Sequence, residues 1–151
     1  LRINGYQKFL KEIGVGIKNE WIIESGEYRF EEGYKSMKQL LCLENRPTAV
    51  FVVNDVMAIG AISAIHDRGL SVPNDIAVIG FDGVDIGSWF HPRLTTLEVH
   101  PYEFGHKAAN MLIESFELKE DTFIEDIFIP KLLIRESCGA NKVTREMDCP
   151  D

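Results

Sequence analysis

The chain has little cysteine, no excess of positive charge and no long apolar run, and each shortage removes a class of function. Cys42, Cys138 and Cys149 are the only cysteines in 151 residues. An odd count with no CxxC or Cys/His ligand spacing supports neither a disulfide framework nor a zinc site. Cys42 lies among apolar residues (LLCL) and reads as a core residue. His66, His91, His100 and His106 show no ligand spacing either, so no metal is expected. The 24 acidic and 16 basic residues give a net charge of −8 and are interspersed rather than blocked. A domain that grips nucleic acid itself usually carries a basic face, so direct DNA contact by this chain is not expected. No apolar stretch approaches the roughly 20 residues of a membrane helix. The first residues lack the basic stretch and apolar run of a secretory leader. A reducing cytoplasm is the expected location, with no membrane contact.

Catalytic motifs are missing too. There is no GxSxG elbow, and no Ser or Cys stands near a plausible His. Neither GxGxxG nor GxxxxGK[ST] occurs, so no dinucleotide or phosphate cradle is supported. Acid pairs such as Glu31-Glu32 and Glu125-Asp126 read as solvated faces. No catalytic residue and no cofactor are expected, and the chain reads as a non-enzyme. A Rossmann-type enzyme is the remote alternative, and nicotinamide-cofactor binding would revive it.

What is present is alternating helix and strand. Residues 2–13 place Tyr6, Phe9, Leu10 and Ile13 on one helical face, and Gly14 and Gly16 end the run. WIIES (21–25) is a strand candidate. Residues 30–43 form a second helix with Tyr34, Met37, Leu40 and Leu41 inward, stopped by Asn45-Arg46-Pro47. AVFVV (49–53) has no polar alternation, as expected of a strand covered by helices on both faces. A third helix spans about 55–67, with Asp55 as its expected N-cap and Gly69 at the C-cap position. IAVIG (76–80) is a second buried strand, 81–93 a loop, and LTTLEV (94–99) a third strand. Residues 101–117 read as a helix with Phe104, Ala108, Met111, Leu112 and Phe116 on one face and Pro101 in the first turn. Residues 123–137 read as extended, with Pro130 at a bend, and 138–151 as a flexible polar tail. This order predicts an α/β fold, a doubly wound and mostly parallel sheet flanked by helices.

Open parallel sheets bind ligands just beyond the carboxyl ends of their strands. Two buried strands here run straight into Asn54-Asp55 and Phe81-Asp82. Asp82 is either a strand-end turn residue or a carboxylate able to accept two hydroxyl hydrogen bonds, as a polyol requires. Asn54 both donates and accepts, which also suits a sugar hydroxyl. Tyr28 and Phe30 precede the second helix. Aromatic faces there either pack against a sugar ring or staple the helix start, and Phe30 is assigned the staple. Arg2 alone reads as a solvated residue. The third helix is apolar on more than one side, from deep burial or from a stripe left for a partner.

Taken together, VVNDVMAIGAISAIHDRGLSVPNDIAVIGFDG followed by HPRLTT, with RINGYQKFL and GEYRFEEGYKSMKQLL before it, resembles the effector-binding domain of the lactose/galactose-repressor family of bacterial transcription regulators. The resemblance runs from Arg2 to about Glu136. It implies a periplasmic-binding-protein-like type I fold with ligand in a cleft between two subdomains. Residues 1–137 would be a partial effector-binding domain: 1–99 the C-terminal subdomain, about 101–125 a segment returning to the N-terminal subdomain. The family's contact residues fall on Arg2, Tyr28, Asn54 and Asp82. Its dimer interface falls near Val56, Ile59, Gly60, Ser63 and Phe90. Position 83 is Gly where the family often has a second acid, so hydrogen bonding beside Asp82 is expected to be thinner. The implied partners are a small-molecule effector, a sugar by its chemistry, a second copy in a homodimer, and operator DNA through an N-terminal helix-turn-helix domain not contained in this sequence. A sugar-binding solute receptor of an uptake system is the alternative.

Overall fold

A computed structural model describes residues 2–117 and 126–140. In chain order it contains α1 (Arg2–Glu12), a 3-10 turn (Asn19–Trp21), α2 (Phe30–Leu41), β1 (Ala49–Phe51), α3 (Asp55–Asp67), β2 (Ala77–Asp82), α4 (Ile86–Trp89), β3 (Thr95–Glu98), α5 (Pro101–Glu117) and β4 (Lys131–Leu133). The strands form one sheet in the order β1-β2-β3-β4. β1, β2 and β3 are parallel, and β4 is antiparallel to β3. The predicted helix–strand alternation and mostly parallel sheet are therefore present. The parts of the returning segment at 118–125 and of the tail at 141–151 lie outside the described residues.

The core sits where α3 packs on β2 and on α2. Ala58, Ile62, Ala64 and Ile65 of α3, Met37 of α2, Ile76, Val78 of β2 and Leu94 are almost wholly buried. The apolar character of α3 on more than one side follows from these two neighbours. Two glycines let the helices approach. A Cβ on Gly33 would collide with the Met57 carbonyl, and one on Gly60 with the Phe30 carbonyl. α3 stops at Gly69, whose φ of +70° suits glycine, and the Gly69 N–H donates to the His66 carbonyl. Ser137 ties the far end of the chain to the sheet. Its hydroxyl accepts from the Thr95 N–H at 2.9 Å and donates to the Val78 carbonyl at 2.6 Å.

Several expectations need correction. Cys42 is exposed rather than in the core. WIIES is not a strand: Asn19–Trp21 is a 3-10 turn and residues 22–25 are extended without sheet pairing. No strand among the described residues lies beside it to pair with: Trp21–Ser25 and residues 47–54 line a cavity of about 1180 Å³ instead. β1 is consequently an edge strand, with Ala49 and Phe51 exposed rather than covered on both faces. α1 has no buried residue. Tyr6 and Leu10 face the cavity, while Phe9 and Ile13 are exposed. The Asp55 cap is out by one position: Asn54 is the N-cap, in extended backbone, and its Oδ1 accepts from the Met57 N–H at 2.8 Å. Asp55, already inside the helix, points elsewhere.

The helix at 101–117 forms as expected, but its predicted inward face is open. Phe104, Leu112 and Phe116 are all exposed. α5 is held to the extended segment 126–130 by Phe104 against Phe128, ring centroids 5.0 Å apart, and by a Lys107–Asp126 ion pair.

Candidate functional site

The carboxyl ends of β1 and β2 lie side by side, because the strands are parallel and in register from Ala49↔Ala77 to Phe51↔Ile79. Arg2, Tyr28, Asn54 and Asp82, far apart in sequence, all line the 1180 Å³ cavity there. Arg2 comes in from the start of α1. Its guanidinium donates to the Val53 carbonyl, lies 3.7 Å from the centroid of the Phe81 ring and stands 3.9 Å from Asp82 Oδ1. The lone solvated arginine of the sequence is thus a clasp joining α1 to both strand ends. Cation–π contact with Phe81 is part of it, and the sequence offered no signal for that ring.

Asp82 is half-exposed and its backbone is unusual. Its φ is +118°, which non-glycine residues rarely adopt. Such conformations cost on the order of 1–3 kcal/mol and persist where neighbours hold them. The carboxyl is pushed above the ordinary carboxylate range, first by burial, with Arg2 opposing and the Asp55 charge adding to the rise. Gly83 continues the turn at φ +78°, and a Cβ there would lie 2.8 Å from the Glu98 Cα. Glycine at this position is required by the backbone and by β3.

Asn54 is nearly buried and largely committed. Besides its capping bond, its Nδ2 donates to the Tyr28 carbonyl at 3.3 Å. That leaves one N–H and one oxygen lone pair for a ligand. The same bond fixes the loop that presents the Tyr28 ring, which is 67% exposed and free to be covered by a bound molecule. Of the five residues expected at a subunit contact, Val56 is exposed, and Ser63 and Phe90 are partly so. Ile59 and Gly60 turn inward against the core and α2.

Sequence reasoning missed the role of Asp55. It is wholly buried, yet its carboxylate accepts three hydrogen bonds: from the Gly83 and Val84 N–H groups at 2.8 Å each, and from the Thr96 hydroxyl at 2.6 Å. Gly80 makes room, since a Cβ there would strike Asp55 Oδ1. A glycine inside an otherwise apolar strand was the available signal, because it marks close approach by another group.

An arginine, an aromatic, an amide and a carboxylate thus surround an open cavity at the strand ends of a parallel α/β lobe, the edge at which open parallel sheets place their ligand sites. The periplasmic binding protein-like domain model matches residues 1–138, and the chain belongs to that family, in the branch formed by effector-binding domains of lactose/galactose-repressor regulators. It is 46% identical over 137 residues to the HTH-type transcriptional repressor PurR of Mannheimia succiniciproducens, covering 90% of this chain and 40% of that protein. A putative LacI transcriptional regulator from Bacillus cereus subsp. cytotoxis superimposes with a TM-score of 0.86 at 29% identity, over 91% of this chain and 48% of that one. A LacI family regulator from Enterococcus faecium with bound ribose gives 0.77 at 26% identity, over 90% and 50%. The chain spans less than half the length of the curated relatives it matches. Those relatives are transcriptional repressors, and no helix among the described residues is long and apolar enough to cross a membrane.

Proposed function

We propose that this chain is the ligand-sensing portion of a DNA-binding transcription regulator, non-enzymatic and cytoplasmic, whose effector is a sugar or a related small polar molecule. The carrying observation is the convergence of Arg2, Tyr28, Asn54 and Asp82 on one cavity. Asp82 and Arg2 hydrogen-bond hydroxyls, Asn54 adds its remaining N–H, and Tyr28 covers a ring face. The Enterococcus faecium relative with bound ribose supports a sugar. Residues 2–99 act as one lobe of the cleft, and α5 returns toward the other. Effector binding biases two arrangements of a homodimer that differ in operator affinity, which requires different affinities of effector for the two. The dimer contact involves Val56, Ser63 and Phe90.

Calorimetric titration of a panel of pentoses, hexoses and disaccharides tests this reading. A sugar binds, and Asp82→Ala weakens it at least tenfold; unchanged affinity in that variant sinks the site. A planar nitrogen heterocycle is the second reading, favoured by the open Tyr28 ring and the Arg2–Phe81 stack. Nucleobases in the same panel distinguish it. A solute receptor of an uptake system shares the cleft chemistry; a secretory leader in the upstream coding sequence supports it, and a helix-turn-helix supports the regulator.

A further inference from the structure

We propose that Asp55 is a positioning residue: by clamping the backbone of Gly83 and Val84, it holds the Asp82 carboxylate in the cavity. The proposal deepens the effector reading and rests on it for the purpose of Asp82, but the clamp itself is testable without any ligand.

Four observations converge on Asp55. The residue is fully buried at the first turn of α3, where a helix N-terminus favours a negative charge. A buried carboxylate is costly unless its lone pairs are filled. Here two backbone N–H groups share Oδ2 and the Thr96 hydroxyl fills Oδ1. The two amides belong to the residues that immediately follow Asp82, whose φ of +118° is the only positive φ at a non-glycine among the described residues. A strained residue stays put only when its surroundings over-determine it. Asp55 supplies that restraint from α3, Thr96 orients Asp55 from β3, and Gly80 clears the space on β2. A simple helix cap would need none of these partners, and the cap is already provided by Asn54. Asp55 does not line the cavity, so it acts through Asp82 rather than on the ligand.

Amide hydrogen exchange in the chain, read residue by residue, tests the clamp. In Asp55→Ala the oxygen that accepts from both amides is removed, whereas an asparagine would keep it by turning its NH2 to the Thr96 hydroxyl oxygen. Exchange at Gly83 and Val84 should rise at least tenfold, while amides of α2 and the middle of β2 keep their wild-type rates. Thr96→Val, which fills the same space without a hydroxyl, should speed the same two amides several-fold, and Thr96→Ser should restore them. These milder variants decide the matter if Asp55→Ala does not fold. In the wild type, scalar coupling across the hydrogen bonds should connect both amide nitrogens to the Asp55 carboxyl carbon. Unchanged exchange at Gly83 and Val84 in the variants, a uniform rise across the chain, or no coupling overturns the proposal. If ribose or another panel sugar binds the wild type, Asp55→Ala weakens it at least tenfold although Asp55 does not line the cavity. If no sugar binds but the clamp signals are present, the effector reading fails and the clamp stands.

Discussion

Replacing Asp82 by asparagine separates two effects of its carboxylate. Burial raises the pKa of Asp82 in the folded chain, so its ionised form is disfavoured there. A raised carboxylate pKa contributes stability below the unfolded value, and that contribution is lost as pH rises through the folded one. At neutral pH the charge therefore opposes folding. Asp82→Asn should stabilise the fold slightly at pH 7, by less than about 1 kcal/mol because the Arg2–Asp82 pair is half solvated, and so raise the melting temperature a little. The same variant should lose affinity for the effector. A melting temperature that falls at pH 7 contradicts the first half. Asn54→Ala should cost about 1 kcal/mol through the lost cap, with further loss because the Tyr28 loop is released. Thermal unfolding with and without ligand measures both.

Between elements, the tightest constraint is the crossing of α2 and α3. Backbone touches backbone at Gly33 and at Gly60, so no side-chain rotation relieves an added methyl. Gly60→Ala or Gly33→Ala should destabilise by at least the roughly 1–3 kcal/mol typical of overpacking, measured by denaturant melts. Alanine at Gly5 or Gly105 meets nothing within 4 Å and serves as the control. The joints between strands carry the pH response. The Ser71 N–H and hydroxyl hold the Asp75 carboxyl below its ordinary value, and the Arg93 backbone and guanidinium do the same for Glu136. Depressed carboxylates contribute stability above the unfolded value, lost as pH falls through the folded one. The contribution of these two carboxylates should thus be intact from neutral to about pH 5 and decline below about pH 4. Glu136→Gln should shrink that acid decline, whereas a pH profile identical to wild type shows the Arg93 contact to be unimportant.

For the whole molecule, α5 and the residues after 126 leave many large apolar side chains exposed. Tyr102, Phe104, Leu112, Ile113 and Phe116 of α5 meet solvent together with Ile127, Ile129 and Ile134. Patches of this kind mark association surfaces. The chain should self-associate, with light scattering giving a mass that rises with concentration; a constant monomer mass at high concentration contradicts this. α5 and α1 should exchange their amides faster than α2 and α3, since neither buries an apolar residue while α2 and α3 share the core.

Local chemistry wrote much of this into the sequence. Periodicity marked α2, α3 and α5, apolar runs marked β1 and β2, and the polar residues ending those runs marked where a ligand site forms, because side-chain period and strand-end position are local properties. Only the tertiary structure decided the rest. Whether WIIES pairs depends on a neighbour beside it. Whether the apolar stripe of α5 is buried depends on what lies across from it. Whether Arg2 is idle depends on the strand ends that α1 reaches. The choice of Asn54 over Asp55 as cap turned on where a carboxylate finds donors, and those donors, Thr96 and the amides after Asp82, come from parts of the chain 28 to 41 residues away.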